Sequence, residues 1–209
     1  VSLYHIVPEG LGSAEPNTYF LPYVALLALL KFIFQSPTTV INIISGLKLS
    51  VGFLAMVGIV EEVVSHQLSA VRNKTKRNKF EDGLITLVGI MAGIFYVFSP
   101  NMTGNYDKAL TSHNQVFLNP LMFCLLLKFF LRSNFKYLLI AIGLSFVFAP
   151  SFALTSAPPF FAFYPLAIGY LLLYTKFVIN EKIPWKWLLI GGSLFIGVQA
   201  FHLLPQIMN

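Results

Sequence analysis

The chain has 209 residues, of which 56% are hydrophobic and only 11% charged, with a formal net charge of +6 and a mean hydropathy of +0.75. That balance lies outside the range of soluble domains and describes an integral membrane protein. The bases are spaced between apolar runs and form no continuous basic face, which argues against nucleic acid as a partner, and the single cysteine, Cys124, excludes an internal disulfide and a thiolate metal cluster.

Residues 1–17 contain glycine and proline breaks and no Lys or Arg, and read as a loop. The start at Val1, without a methionine or a signal-like segment, reads as that of a processed product or an excised piece. Residues 18–35 (TYFLPYVALLALLKFIFQ) have helical propensity, but Pro22 and Lys31 shorten their apolar core. Crossing a bilayer takes about 20 apolar residues, so this segment is expected to be interfacial or re-entrant.

Six spans follow: Thr38 to Val64, Gly83 to Ser99, Val116 to Leu131, Tyr137 to Phe148, Phe160 to Ile179 and Leu188 to Leu204. The expected fold is all-α: a polytopic transmembrane bundle over residues 38–209, preceded by the 18–35 helix, seven helices in all. Between the first two spans lies the polar stretch Ser65 to Asp82, with Arg72, Lys74, Lys76, Arg77 and Lys79. Alternate loops then carry Arg132 and Lys136, and Lys176, Lys182 and Lys186, whereas the opposite set contains only Lys108. Short Lys/Arg-rich loops stay cytoplasmic, so this segregation orients the bundle, with Trp185 and Trp187 anchoring its basic side. The first loop is then expected outside.

Within the spans, Gly89 and Gly93 form a GxxxG pair, and Gly46 with Ser50 and Ser193 with Gly197 repeat the spacing. Small residues four apart let helices approach closely, which indicates packing rather than chemistry. Lys48 stands ten residues into its span, about 15 Å by helical rise. An ammonium at that depth costs roughly 2.5 to 3.5 kcal/mol unless it meets a polar interior or a counter-charge. Three explanations apply: it binds an anion such as a lipid-linked phosphate, it pairs with a carboxylate, or its span is shifted so that it is shallower.

The outer loop Pro100 to Gln115 concentrates polar groups. Asp107 and His113 are candidate acid, base or ligand groups, while Asn101, Asn105 and Lys108 could bind a hydroxyl-rich or anionic substrate. One Asp and one His six apart do not make a zinc motif. In the first loop, Glu9 and Glu15 are carboxylates flanked by His5, and Glu61 with Glu62 stand at the basic end of a span, placed to neutralise nearby bases.

Taken together, PNTYFLPYVALLALL, SPTTVINIISGLKLSVGFLAMVGIV, GIFYVFSPNMTGNY, HNQVFLNPLMFCLLLKFF and SFVFAPSFALTSAPPFFAFYPLAIGYLLLY follow an order of features. This order resembles the amino-terminal half of GT-C fold polytopic glycosyltransferases, in the broad bacterial and archaeal group of arabinofuranosyltransferase D-like and YfhO-like proteins. The resemblance implies a lipid-phosphate-linked sugar donor, transfer on the outer side of a plasma membrane, and a catalytic carboxylate in the first external loop. Glu9 and Glu15 occupy the remainder of that loop, while the family's essential acid, and any divalent metal site, would fall before Val1. The partners implied are membrane lipid, the sugar donor, and the rest of a parent chain or other membrane subunits. The alternative is a noncatalytic subunit or transporter-type bundle.

Overall fold

A computed structural model describes residues 4–6, 14–16, 21–71, 79–99, 114–148 and 158–207. Its body is all-helical, with seven α-helices among these residues: α1 (Leu21–Phe34), α2 (Pro37–Val71), α3 (Lys79–Val97), α4 (Asn114–Arg132), α5 (Phe135–Phe148), α6 (Pro158–Leu173) and α7 (Trp185–Ile207). A π-helical segment, Tyr174–Ile179, continues α6. The first loop is not wholly irregular, since Tyr4–Ile6 (β1) and Ala14–Pro16 (β2) pair antiparallel with His5 opposite Glu15.

The helix ends follow local chemistry. Ser36 caps α2, its Oγ accepting from the Thr39 N–H at 3.4 Å, with Pro37 in the first helical position. Asn134 caps α5 by accepting from the Lys136 N–H at 3.0 Å. Gln35, Ser133 and Asn180 close the preceding helices with φ of 56°, 49° and 59°, in the left-handed region that ends a helix. The stretch Ser65 to Asp82, expected as a loop, is helical at both ends. Residues 65–71 prolong α2, and α3 starts at Lys79 with Glu81 and Asp82 in its first turn, where acids suit the helix dipole.

At the centre stands α4, whose Met122, Leu127, Phe129 and Phe130 are buried on several faces. Around it α2, α5, α6 and α7 contribute Leu138, Ile142, Ala167 and Leu171 to the core and pack Ile59 and Phe195 against it. The Gly89/Gly93 spacing is used as expected. A Cβ at Gly93 would fall 2.6 Å from the Phe53 ring, and one at Gly89 3.1 Å from Val57 Cγ1, so α3 lies close along α2. By contrast, Gly46 and Gly197 have no neighbour within 4 Å of that position among the described residues.

The outer surface is apolar. On α3 alone, Phe80, Leu84, Leu87, Ile94 and Phe95 are exposed, and apolar side chains grouped in this way mark a surface that meets a partner or a membrane. Among the described residues two helices are long and apolar enough to cross a membrane, Pro37–Leu68 and Lys79–Val97. Shorter apolar helices cover Ala25–Phe34, Phe135–Phe148, Tyr164–Ile179 and Trp185–Val198. With 14 residues, α1 is about 21 Å long, short of a crossing.

Candidate functional site

Lys48 is buried, 7% exposed, on the face of α2 that also carries Val40, Ile44 and Ser45. Its Nζ lies 5.6 Å from the centroid of the Tyr23 ring, and Tyr23, 2% exposed, stacks at a tilt on Phe148 with centroids 5.9 Å apart. Such a cation over an aromatic face is favourable by roughly 0.5 to 2 kcal/mol, more as the pair is desolvated. Three helices therefore build this site: α2 supplies the ammonium, α1 the ring beneath it, and the end of α5 the ring behind that.

The level of Lys48 within the bundle follows from the way the neighbouring helices pack on α2. The contacts of Gly93 with Phe53 and of Gly89 with Val57 run α3 antiparallel to α2, and Val97 and Phe98 share a groove with Leu49 and Ser50. On the other side, Cys124 packs on Gly58 and Arg132 reaches Glu62, so α4 runs parallel to α2. Followed back by its rise of ~1.5 Å per residue, α4 begins near the level of Lys48. The end of α5 at Phe148 meets Tyr23 there too. Lys48 thus stands level with the ends of three neighbouring helices. Beyond it α2 continues for about 17 Å to Pro37 and turns back as α1.

Among the other candidates, Glu15 lies in β2 opposite His5. Glu9, Asn101, Asn105, Asp107, Lys108 and His113 lie outside the described residues, although the segment carrying the last five joins Ser99 to Asn114, the ends of α3 and α4 nearest Lys48. Tyr23, Ser45 and Phe148 were not singled out in the sequence. The three-residue spacing of Ser45 and Lys48 places them on one helix face and could have flagged the serine, but nothing local connects Tyr23 or Phe148 to it.

A second polar cluster lies toward the basic end of the bundle. Arg132 grips the partly buried Glu62 with both Nε, at 3.3 Å, and Nη2, and Lys128 Nζ stands 3.8 Å away. The hydrogen bond to Glu62 raises the Arg132 guanidinium further above its already high range. Glu61 instead accepts from Thr86 Oγ1 at 3.3 Å. Glu62 does neutralise bases, but bases of α4 that are distant in sequence, whereas Glu61 meets a hydroxyl of α3. No group of three or more His, Cys, Asp and Glu among the described residues could hold a metal ion. No protein-family model, curated protein or solved structure matches this chain.

Proposed function

We propose that the chain is a multi-pass membrane bundle of six spans, with α1 as an interfacial or re-entrant helix, and that it forms part of a GT-C-type glycosyltransferase in a bacterial or archaeal plasma membrane. In this reading Lys48 receives the phosphate of a lipid-phosphate-linked sugar donor on the external face. The observation that carries the proposal is the level of Lys48. A hydrocarbon layer of about 30 Å measured along α2 from Glu62 leaves Lys48 within about 10 Å of the external boundary. That is shallow enough for the ammonium to meet a donor phosphate drawn a few ångströms below the headgroup level.

The chemistry follows from charge. As the sugar departs, negative charge grows on the lipid phosphate, and a fixed ammonium in a poorly solvated site stabilises it. A carboxylate of the first external loop, for which Glu9 and Glu15 are the candidates in this chain, takes the proton of the acceptor hydroxyl. The test is binding of a polyprenyl phosphate to the purified chain. Lys48→Met is expected to weaken it by about tenfold or more, the worth of a charge-assisted hydrogen bond, and Lys48→Arg to retain most of it. Unchanged binding by Lys48→Met leaves Lys48 a structural role only.

One observation favours the noncatalytic subunit instead. The end of α1 presents Leu29, Phe32, Ile33 and Phe34 as an exposed apolar tip, with Phe32 83% exposed, which suits a contact with another chain. Purification of the chain in a stable complex that carries its own catalytic subunit would favour that reading.

A further inference from the structure

At the basic end of the bundle, two turns remote in sequence are held together by their aromatic residues. Phe135, opening α5, stacks on Trp187, in the first turn of α7, with centroids 4.8 Å apart and planes at 29°. Lys136 follows the first ring, and Lys186 precedes the second and lies 5.5 Å over it. Lys176 and Lys182 extend the same rim, and all four lysines are exposed. Glu181 offsets one of these charges, and Arg132 is engaged by Glu62. The rim keeps a net positive charge.

One turn further into the bundle, between α4, α5, α6 and α7, lies an apolar cavity of about 90 Å³ within a wider gap of about 550 Å³. Leu126, Leu138, Ile142, Ile168, Gly191 and Gly192 line it. Leu138 and Leu188 stand three residues and one residue beyond the stacked rings, so the gap sits just below them. Tyr164 and Phe195, with centroids 5.6 Å apart, close its other end. Gly192 is exposed and has nothing within 4 Å where a Cβ would be, so the gap opens sideways there.

We infer that this is a binding site for one anionic phospholipid of the inner leaflet, its headgroup on the Lys136 and Lys186 rim and the upper part of one acyl chain in the slot behind Gly192. The rim supplies the charge complement, since juxtamembrane cations attract anionic headgroups while interfacial aromatic rings sit at headgroup level. The slot supplies an apolar space, which surrounding lipid fills more readily than water. The inference rests on the membrane-embedded reading above, but not on the glycosyltransferase chemistry. The site lies at the opposite end of the bundle from Lys48.

The two tryptophans of the chain provide the test. A Trp185→Phe variant leaves Trp187 as the only reporter. The chain is reconstituted into phosphatidylcholine vesicles carrying a minor fraction of either phosphatidylglycerol or phosphatidylcholine, brominated near the top of the acyl chain. Brominated phosphatidylglycerol is expected to quench Trp187 with an apparent affinity about fivefold or more above that of brominated phosphatidylcholine. Combining Lys136→Gln with Lys186→Gln should bring that ratio to one, and Gly192→Leu, which places a bulky side chain at the open mouth of the slot, should reduce the quenching by phosphatidylglycerol. Equal quenching by the two lipids in the parent protein overturns the site while leaving the chain embedded. Absence of quenching by either lipid overturns the embedding itself, and the inference with it.

Discussion

Arg132 and Glu62, seventy positions apart in sequence, form a two-point ion pair that ties the last turn of α4 to α2. Glu62 is only 13% exposed while Arg132 remains half open to its surroundings. Removing the carboxylate therefore leaves two cations, Arg132 and Lys128, without their shared partner. Glu62→Gln is expected to lower stability in detergent by about 1 to 3 kcal/mol, and Glu61→Gln, whose amide oxygen can still accept from Thr86, by well under half as much. Thermal unfolding of the two variants, with a cycle that includes Arg132→Gln, reads the difference. Equal losses from Glu61→Gln and Glu62→Gln would contradict the pairing.

The glycine contacts separate sites of identical spacing. Gly93→Ala drives a methyl group into the Phe53 ring and close to its backbone carbonyl, and should cost about 1 to 3 kcal/mol through forced separation of α2 and α3. Gly46→Ala and Gly197→Ala meet open space and should be neutral or slightly stabilising, since alanine is the better helix former. The order of melting temperatures across the three variants checks this. A melting temperature for Gly46→Ala as low as that of Gly93→Ala would show that α2 has a partner at Gly46.

Thr175, in the π-helical continuation of α6, is 1% exposed, and its Oγ1 is buried with no hydrogen-bond partner among the described residues. An unsatisfied buried hydroxyl costs about 1 to 3 kcal/mol, so Thr175→Val, of nearly the same shape, should raise the melting temperature. A fall in melting temperature would mean that the hydroxyl is satisfied by a group such as bound water.

Much of the architecture was legible because each helix announces itself in apolar length and in the residues that end it. The breaks at Ser133–Asn134 and Asn180–Pro184 fall where charge and proline mark them. Gly89 and Gly93 were readable as a close-approach surface, but the same spacing at Gly46/Ser50 and Ser193/Gly197 is uncovered in this chain. Spacing records what a face allows, and only the assembled bundle decides what occupies it. The level of Lys48 within the bundle was not legible for a related reason. Counting from the first apolar residue of α2 measures distance from a helix end, whereas its neighbours at that level depend on where α3, α4 and α5 stop. Glu62 could be recognised as a neutralising acid, yet its partners on α4 are fixed only by the parallel packing of two helices remote in sequence. The ring of Tyr23 under Lys48 likewise depends on the turn at Gln35 and Ser36 that folds α1 back along α2.

Lys48 can meet an external lipid phosphate only if the ends of α3, α4 and α5 beside it are external. Single cysteines introduced at Asn105 and at Asn78, with the buried Cys124 replaced by serine, can be labelled in intact cells with a reagent that does not cross the membrane. The account predicts that position 105 reacts and that position 78 reacts only after permeabilisation. Labelling of position 78 but not 105 in intact cells would invert the bundle and contradict the assignment of Lys48.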